Sequence, residues 1–431
     1  MPEAVQPVSS CKDAHEKGAM PVAEVQAQLR ALLQPHGRRE TLALHDVIPG
    51  RVLAEPLTAR LRLPATALSA MDGYALDWHS TMQLSAGHVA LEVAGTSRAG
   101  TPWQGRSLAP GQCIRIYTGA VLPEACDTVI MQEQTREIGQ GHIDIDLQDS
   151  RQGENVRQAG EECQPGDVLL PAGHRIRASD IGLMAAQGVE SVEVSAPLSI
   201  SLFTTGDELC TPGTPLQAGQ IYDSNRFVLK ALLQSAGWQV HDMGILADDT
   251  DAIAHAMHEA AAHSDVIIST GGVSVGDHDH VRPALEKAGR LTLWKMAIKP
   301  GRPLTYGRIG NSHFFGLPGN PAAVMTTCHQ IILPALRQLE GEIPPADHLS
   351  FGVKSLVNLR KRPGRTEFLR GHVLRDEDGN MVVTTTGNQS SGILRSFAMA
   401  NCFIVLPAES SGIQQGEIVE IQPFHGCMSH F

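Results

Sequence analysis

Hydrophobic residues recur at two periods along this chain, and where the period changes the architecture is expected to change with it. From Pro21 onward, Val22, Val25, Leu29, Leu32 and Leu33 return at helical spacing and predict an amphipathic helix. Between roughly 86 and 150 the rhythm shortens to strands: HVALEVAG, the run Cys113 to Tyr117, DTVIMQE and HIDIDLQ, each closed by Gly, Pro or Asp. PGDVLLPAG (165–173) adds a strand and a turn, and SDIGLMAAQG (179–188) a short helix stopped at Gly188. From 198 onward strands near 198–203, 238–246, 265–270 and 291–297, then PLTYGRI and SHFFGL, are interleaved with helices. These helices are expected at 225–236, 249–263, 281–288 and Pro321 to about Leu339. That alternation calls for a doubly wound, mainly parallel sheet covered on both faces. After about 346 the helices stop, and GVKSLVNL, EFLRGHVL, MVVTTTG, CFIVLP and EIVEIQPF predict a small β-barrel.

At 431 residues the chain is too long for one core, and two to four domains are expected. A net charge of −12 argues against nucleic acid or an anionic membrane as partner. It also means that any anionic ligand must be held by local cations or a metal. The eight cysteines form no CxxC pair, so neither a zinc knuckle nor a redox motif is indicated. Met1 to Met20 is polar, without the apolar core of a signal peptide, and no apolar run is long enough to span a bilayer. A soluble, cytoplasmic protein is expected.

Ligands of open α/β sheets bind beyond the C-terminal ends of the strands. The segments expected there carry Glu208, then Asp248 and Asp249, then Thr270-Gly271-Gly272-Val273-Ser274-Val275-Gly276-Asp277-His278-Asp279. Lys295 and Lys299-Pro300-Gly301-Arg302 follow, and Pro318-Gly319-Asn320-Pro321 opens the last helix. Gly271, Gly272 and Gly276, with hydroxyls such as Ser274, either make a tight turn or present backbone N–H groups to phosphate. The loop lacks the Gly-Lys-Ser/Thr ending of a Walker loop. Asp248 or Asp249 is suited to capping the following helix, and Asn320 before Pro321 is a natural N-cap. Glu208, Asp248, Asp277 and Asp279 would repel a phosphate unless a hard cation such as Mg²⁺ joined them. Lys295 and Lys299 suit an oxyanion, or are solvated surface groups. The set reads as metal-assisted phosphoryl or pyrophosphate chemistry. Of the nearby histidines, His241, His278, His280 and His313, none has a known ligand spacing, and His278 and His280 read as surface residues.

These segments, together with Ser69-Ala70-Met71-Asp72-Gly73-Tyr74-Ala75, Ile116-Tyr117-Thr118-Gly119-Ala120, Thr205-Gly206-Asp207-Glu208-Leu209 and Ile221-Tyr222-Asp223-Ser224-Asn225, resemble one family. STGGVSVGDHDH, GLPGNPAAV, Arg370-Gly371 and TTTGNQSSG complete the match, from about residue 22 to the end. The chain resembles the molybdopterin molybdenumtransferases of the bacterial MoeA type and the similar E-domain of gephyrin.

The resemblance implies a disordered tail at 1–20, a discontinuous elongated domain I at 21–69 and 157–197, and a β-rich inserted domain II at 70–156. The α/β domain III would span 198–345 and the β-barrel domain IV 346–431. It implies a homodimer with a shared cleft, acting on adenylylated molybdopterin and molybdate with Mg²⁺ and releasing AMP. The upstream adenylyltransferase is a further possible partner. Asp72 and Thr118 would reach the cleft from the partner subunit. Glu208, Asp248 and Asp279 would serve the metal and nucleotide side, with Lys295 and Lys299 on oxyanion or phosphate. Pro318 and Pro321 would shape the wall, and Arg370 and Ser391 would contribute from the barrel. Thr66-Ala67-Leu68 stands where the family has a Phe-Asp-Asn-like stretch, and Arg302 where it has Lys. Rival readings are a molybdopterin adenylyltransferase, a nucleotide pyrophosphatase, and a gephyrin-like scaffold.

Overall fold

The computed structural model describes residues 19–85, 87–105, 107–272, 280–343 and 349–424. The expected disordered tail lies almost wholly outside these residues. The chain forms two compact units. One comprises Met1–Ala54, Gly173–Ala178 and Ser191–Phe431, the other Glu55–Ala172 and Ser179–Glu190. The larger unit opens with α1, Val22–Leu32, whose Val22, Val25 and Leu29 are buried, as their helical spacing predicts.

The smaller unit is built on a six-stranded sheet. Its strands are β1 (Gly73–Leu76), β2 (His88–Ser97), β3 (Gln112–Ile116), β4 (Thr128–Met131), β5 (Thr135–Gly139) and β6 (His142–Asp146), in the order β4-β1-β3-β2-β6-β5. Alternate residues of β6, Ile143 and Ile145, are buried while their neighbours face water, the signature of a sheet covered on one face. Short β1 is wholly buried because it is central, pairing antiparallel with both β3 and β4.

The larger unit holds the α/β sheet. Its elements are β7 (Ser199–Thr205), α2 (Asn225–Ser235), β8 (Gln239–Leu246), α3 (Thr250–Ala261), β9 (Val266–Thr270), α4 (Val281–Ala288) and β10 (Arg290–Lys295). After the short β11 (Ile298–Lys299) come β12 (Pro303–Ile309), β13 (Ser312–Leu317), α5 (Pro321–Thr327) and α6 (Leu333–Glu340). The order is β8-β7-β9-β13-β12-β10, with the first four parallel and β12 antiparallel to both neighbours. Two antiparallel steps restore the direction, so β10 ends on the same rim as β7. Apolar clusters cover both faces: Leu202, Ile268 and Phe315 pack with α1, α2 and α6, and Phe203, Ile267 and Phe314 with α3 and α4.

The last helix departs from the single α-helix the pattern predicts, because Cys328–Ile332 forms a π-turn between α5 and α6. Pro334 lacks the N–H that would bond to the carbonyl of Gln330, which widens the ladder. That freed carbonyl instead accepts from Gln26 Nε2 of α1 at 2.8 Å.

The barrel follows as expected: β14 (Phe351–Ser355), β15 (Thr366–Arg375), β16 (Met381–Thr385), β17 (Cys402–Leu406) and β18 (Ile418–Pro423). Pairing runs β15-β16-β14-β18-β17, and β17 returns to β15, closing the barrel and removing its edges.

Candidate active site

Four loops meet where the parallel strands end. The loop after β8 carries two adjacent carboxylates with different duties. Asp249 caps α3, accepting from the Ala252 N–H at 2.7 Å. Asp248 is thereby free of capping, and it accepts from the Asp207 N–H at 3.2 Å, tying its loop to the one after β7 that bears exposed Glu208.

Gly271 and Gly272 follow β9 with φ of +89° and +62°, a region that disfavours any other residue. A Cβ on Gly271 would sit 2.3 Å from the Thr205 carbonyl oxygen, and one on Gly272 2.8 Å from Thr205 Oγ1. Close packing therefore requires both glycines, whatever else the loop binds. Ser274, Gly276 and Asp279, with Asp277 and His278, lie outside the described residues.

The next loop is held by side chains from its neighbours. The Pro318 carbonyl accepts from Thr270 Oγ1 at 2.9 Å, and that of Gly319 from Asn225 Nδ2 at 2.7 Å. Pro321 takes the first position of α5, as expected, but Asn320 at the N-cap makes no side-chain capping bond. One orphan donor of that helix end, the Ala322 N–H, bonds instead to the carbonyl of Ser391 at 2.9 Å. Ser391 thus reaches this region through its backbone. Beneath the rim, buried Asp223 accepts from Thr204 Oγ1 at 2.8 Å, and from Arg226 N at 3.1 Å and Nε at 2.9 Å.

Lys295 ends β10 on this rim and is exposed. Lys299 corrects the expectation that both lysines belong to strand-end loops of one sheet. It lies in β11, which pairs with Thr366 and Glu367 at the start of β15 and so belongs to the barrel sheet. His313 is corrected too: it stands near the start of β13, at the end away from the rim, and is buried.

Lys299, Asn358, Arg360, Glu367, Arg370 and Gln389 line a cavity of about 260 Å³. Lys299 Nζ sits 3.3 Å from both Glu367 carboxylate oxygens. Arg370, projecting from β15, is completely buried and is hydrogen-bonded to no carboxylate among the described residues. Its Nε donates to Ser396 Oγ at 3.0 Å and Nη2 to the Ser390 carbonyl at 3.1 Å, while Nη1 has no partner among the described residues. Burial pulls its guanidinium down to about 10, which still leaves it charged at neutral pH. A buried cation of this kind, with a donor to spare, is suited to an anion. Neither Glu367 nor Gln389 stands out in the sequence, since each is one polar position within a strand or turn.

In the smaller unit Asp72 and Thr118 meet. Asp72 Oδ1 accepts from the Thr118 N–H at 2.7 Å and from its Oγ1 at 2.8 Å. The backbone bond, then the hydroxyl, hold this carboxyl below its ordinary range. The turn is fixed from behind: Gln132 N–H donates to the Asp72 carbonyl at 3.0 Å and Arg115 Nη1 to that of Gly73 at 3.3 Å. Arg115, stacked over Tyr74 and Tyr117 at 4.9 and 5.0 Å, was not among the expected site residues.

Comparison with known proteins follows this architecture from end to end. Residues 20–188 match the MoeA N-terminal region (domain I and II), 201–338 a probable molybdopterin binding domain, and 353–424 the MoeA C-terminal region (domain IV). The molybdopterin molybdenumtransferase of Haemophilus influenzae is 38% identical over 375 residues, covering 87% of this chain and 91% of that protein. The chain belongs to the molybdopterin molybdenumtransferase family. The transferase of a Nostoc species is 36% identical over 376 residues, covering 86% of this chain and 85% of its own. The crystal structure of the molybdopterin biosynthesis moeA protein from Pyrococcus horikoshii superposes with a TM-score of 0.79 at 25% identity, covering 94% of this chain and all of that one. The structure shows the surroundings of Asp72 and Thr118 in the smaller unit, and of Glu208, Asp248, Lys295, Lys299, Pro318, Pro321, Arg370 and Ser391 in the larger.

Among the described residues no three of His, Cys, Asp and Glu gather closely enough to hold a metal ion. Glu208 and Asp248 remain, and Mg²⁺ needs only one or two carboxylates when phosphate oxygens and water complete its shell. Thr205 Oγ1, buried beside Gly272, has no hydrogen-bond partner among the described residues. The donor set fits a Mg²⁺–phosphate unit. No helix among the described residues is long and apolar enough to cross a membrane.

Proposed function

We propose that this chain acts in molybdenum cofactor biosynthesis as a molybdopterin molybdenumtransferase, taking molybdate and adenylylated molybdopterin and releasing AMP. Family membership along 87% of the chain supports the transferase reading over an adenylyltransferase or pyrophosphatase, which would require the α/β domain alone. The observation that carries the chemistry is the cavity lined by Lys299, Arg360, Arg370 and Gln389, where three cations stand against one carboxylate, Glu367. A guanidinium and an ammonium together suit a tetrahedral oxyanion, and molybdate is one.

In this reading Arg370, with Lys299, orients the oxyanion, and Lys295 neutralises phosphate at the rim. Gly271 and Gly272 let the backbone approach the pyrophosphate closely, with Ser274 and Gly276 continuing that loop. Mg²⁺, when bound, would supply charge neutralisation for cleavage of the pyrophosphate link. Glu208, Asp248 and Asp279 would hold it, while Pro318 and Pro321 set the wall and Ser391 braces α5. Asp72 is kept ionised by Thr118 and would serve a cleft completed by a second copy, in a symmetric homodimer. The cytoplasm is the compartment this reading requires, and the upstream adenylyltransferase its natural supplier of substrate.

The test is the fate of the metal. Molybdenum recovered bound to the dithiolene after incubation with molybdate and Mg²⁺ is the expected outcome. AMP formation that leaves the dithiolene without metal would point to a pyrophosphatase.

A further inference from the structure

The cavity contains a group that an anion site does not need. Glu367 lies among Lys299, Arg360 and Arg370 with its side chain only 8% exposed, and both its oxygens stand 3.3 Å from Lys299 Nζ. A carboxylate there opposes any oxyanion that enters. The pair is lopsided, with the Lys299 side chain 51% exposed and that of Glu367 8%, so the lysine is free to turn toward an entering anion while the carboxylate is fixed. The other nearby ammonium, that of Lys361, donates to the carbonyls of Arg362, Ala408 and Ser410 at 3.3, 3.0 and 3.1 Å and acts on Glu367 through space, without a hydrogen bond to it. Lys299 is the lysine bonded to Glu367, and it is also the one lining the cavity that an entering anion would need. Among the described residues Arg370 makes no such pair, and its buried Nη1 has no partner.

We propose that Glu367 is a built-in competitor for the oxyanion: it occupies Lys299 in the empty cavity and holds affinity down. This rests on the reading of the cavity as the oxyanion seat. With Glu367 the lining charges sum to plus two (Lys299, Arg360 and Arg370 against one carboxylate), and without it to plus three. The physical rationale is that an enzyme gains nothing by holding its ground-state substrate tightly. An oxyanion that must be passed to a second substrate is best bound through a lysine already shared.

The experiment is equilibrium binding of molybdate, sulfate and perchlorate to the full-length protein and to its Glu367→Gln variant. Glutamine keeps the shape and removes the charge. Molybdate and sulfate, as dianions, are expected to bind the variant about tenfold more tightly or better. Perchlorate, with half the charge, should gain about the square root of that factor. Added in a Lys299→Met background, the same change should give a smaller gain, because the competition acts through Lys299. Unchanged affinity in Glu367→Gln overturns the inference. So does weaker binding, which would make Glu367 a support for Lys299 instead. If the unaltered protein and the variant both fail to bind molybdate and sulfate, the cavity reading itself fails and takes this inference with it.

Discussion

Replacing Arg370 with methionine separates a functional cation from a structural one. The guanidinium is fully buried, and its described hydrogen bonds go to Ser396 Oγ and the Ser390 carbonyl. Losing these two charge-assisted bonds costs about 3–6 kcal/mol. Against this, an unpaired buried cation carries an effective desolvation penalty of several kcal/mol, and the orphan Nη1 about 1–3 more. The two sides nearly cancel, and methionine's flexible thioether fills most of the space. Arg370→Met should therefore change unfolding free energy in urea by no more than about 1–2 kcal/mol. Calorimetric titration with molybdate should nevertheless show affinity reduced by at least about 30-fold, the equivalent of roughly 2 kcal/mol for truncating a buried charge contact. A variant destabilised by more than about 3 kcal/mol with molybdate affinity intact would refute this reasoning, leaving Arg370 a structural brace.

Other expectations test the frame around the site. Asp223→Asn keeps an acceptor but uncharges a buried partner of Arg226, and should lower stability by about 3 kcal/mol in urea; a loss under about 1 kcal/mol would show that Asp242 alone suffices for Arg226. His313, bonded to Tyr306 and Arg308, is pushed down to about 4 by burial first and by Arg308 second. The unfolded histidine takes up a proton near pH 6.5 and the folded one does not, so stability is full above about 6.5 and declines toward pH 4. The loss should reach roughly 3 kcal/mol, and His313→Gln should flatten that part of the urea-stability profile; an unchanged slope would contradict it. Turnover should vanish with excess chelator and return with Mg²⁺, because Glu208 and Asp248 share a rim with the glycine loop proposed to hold phosphate; equal rates in both conditions would dismiss the metal.

Local patterns were legible in the sequence wherever one element decides its own structure. The spacing of Val22, Val25 and Leu29 gave α1, and the apolar runs of β7, β9 and β13 gave the parallel sheet and its rim. The capping role open to either Asp248 or Asp249 was fixed by geometry alone, since only Asp249 reaches back to Ala252. What stayed hidden depends on residues distant in sequence. Lys299 reads as part of a loop after β10, yet its short strand is claimed by β15, nearly seventy residues on. Pro334 was visible, but not that Gln26 would take the carbonyl it frees. Glu367 carries no local signal, because a charged residue at the start of a barrel strand ordinarily faces water, and only closure of the barrel buries it.

The central claim is that cleavage and metal insertion are one coupled event in this chain. Release of AMP from adenylylated molybdopterin, measured with Mg²⁺ in the presence and absence of molybdate, tests it most directly. Molybdate-dependent release is predicted, with the dependence weakened in Arg370→Met. Release at the same rate without molybdate, or none in either condition, would contradict it.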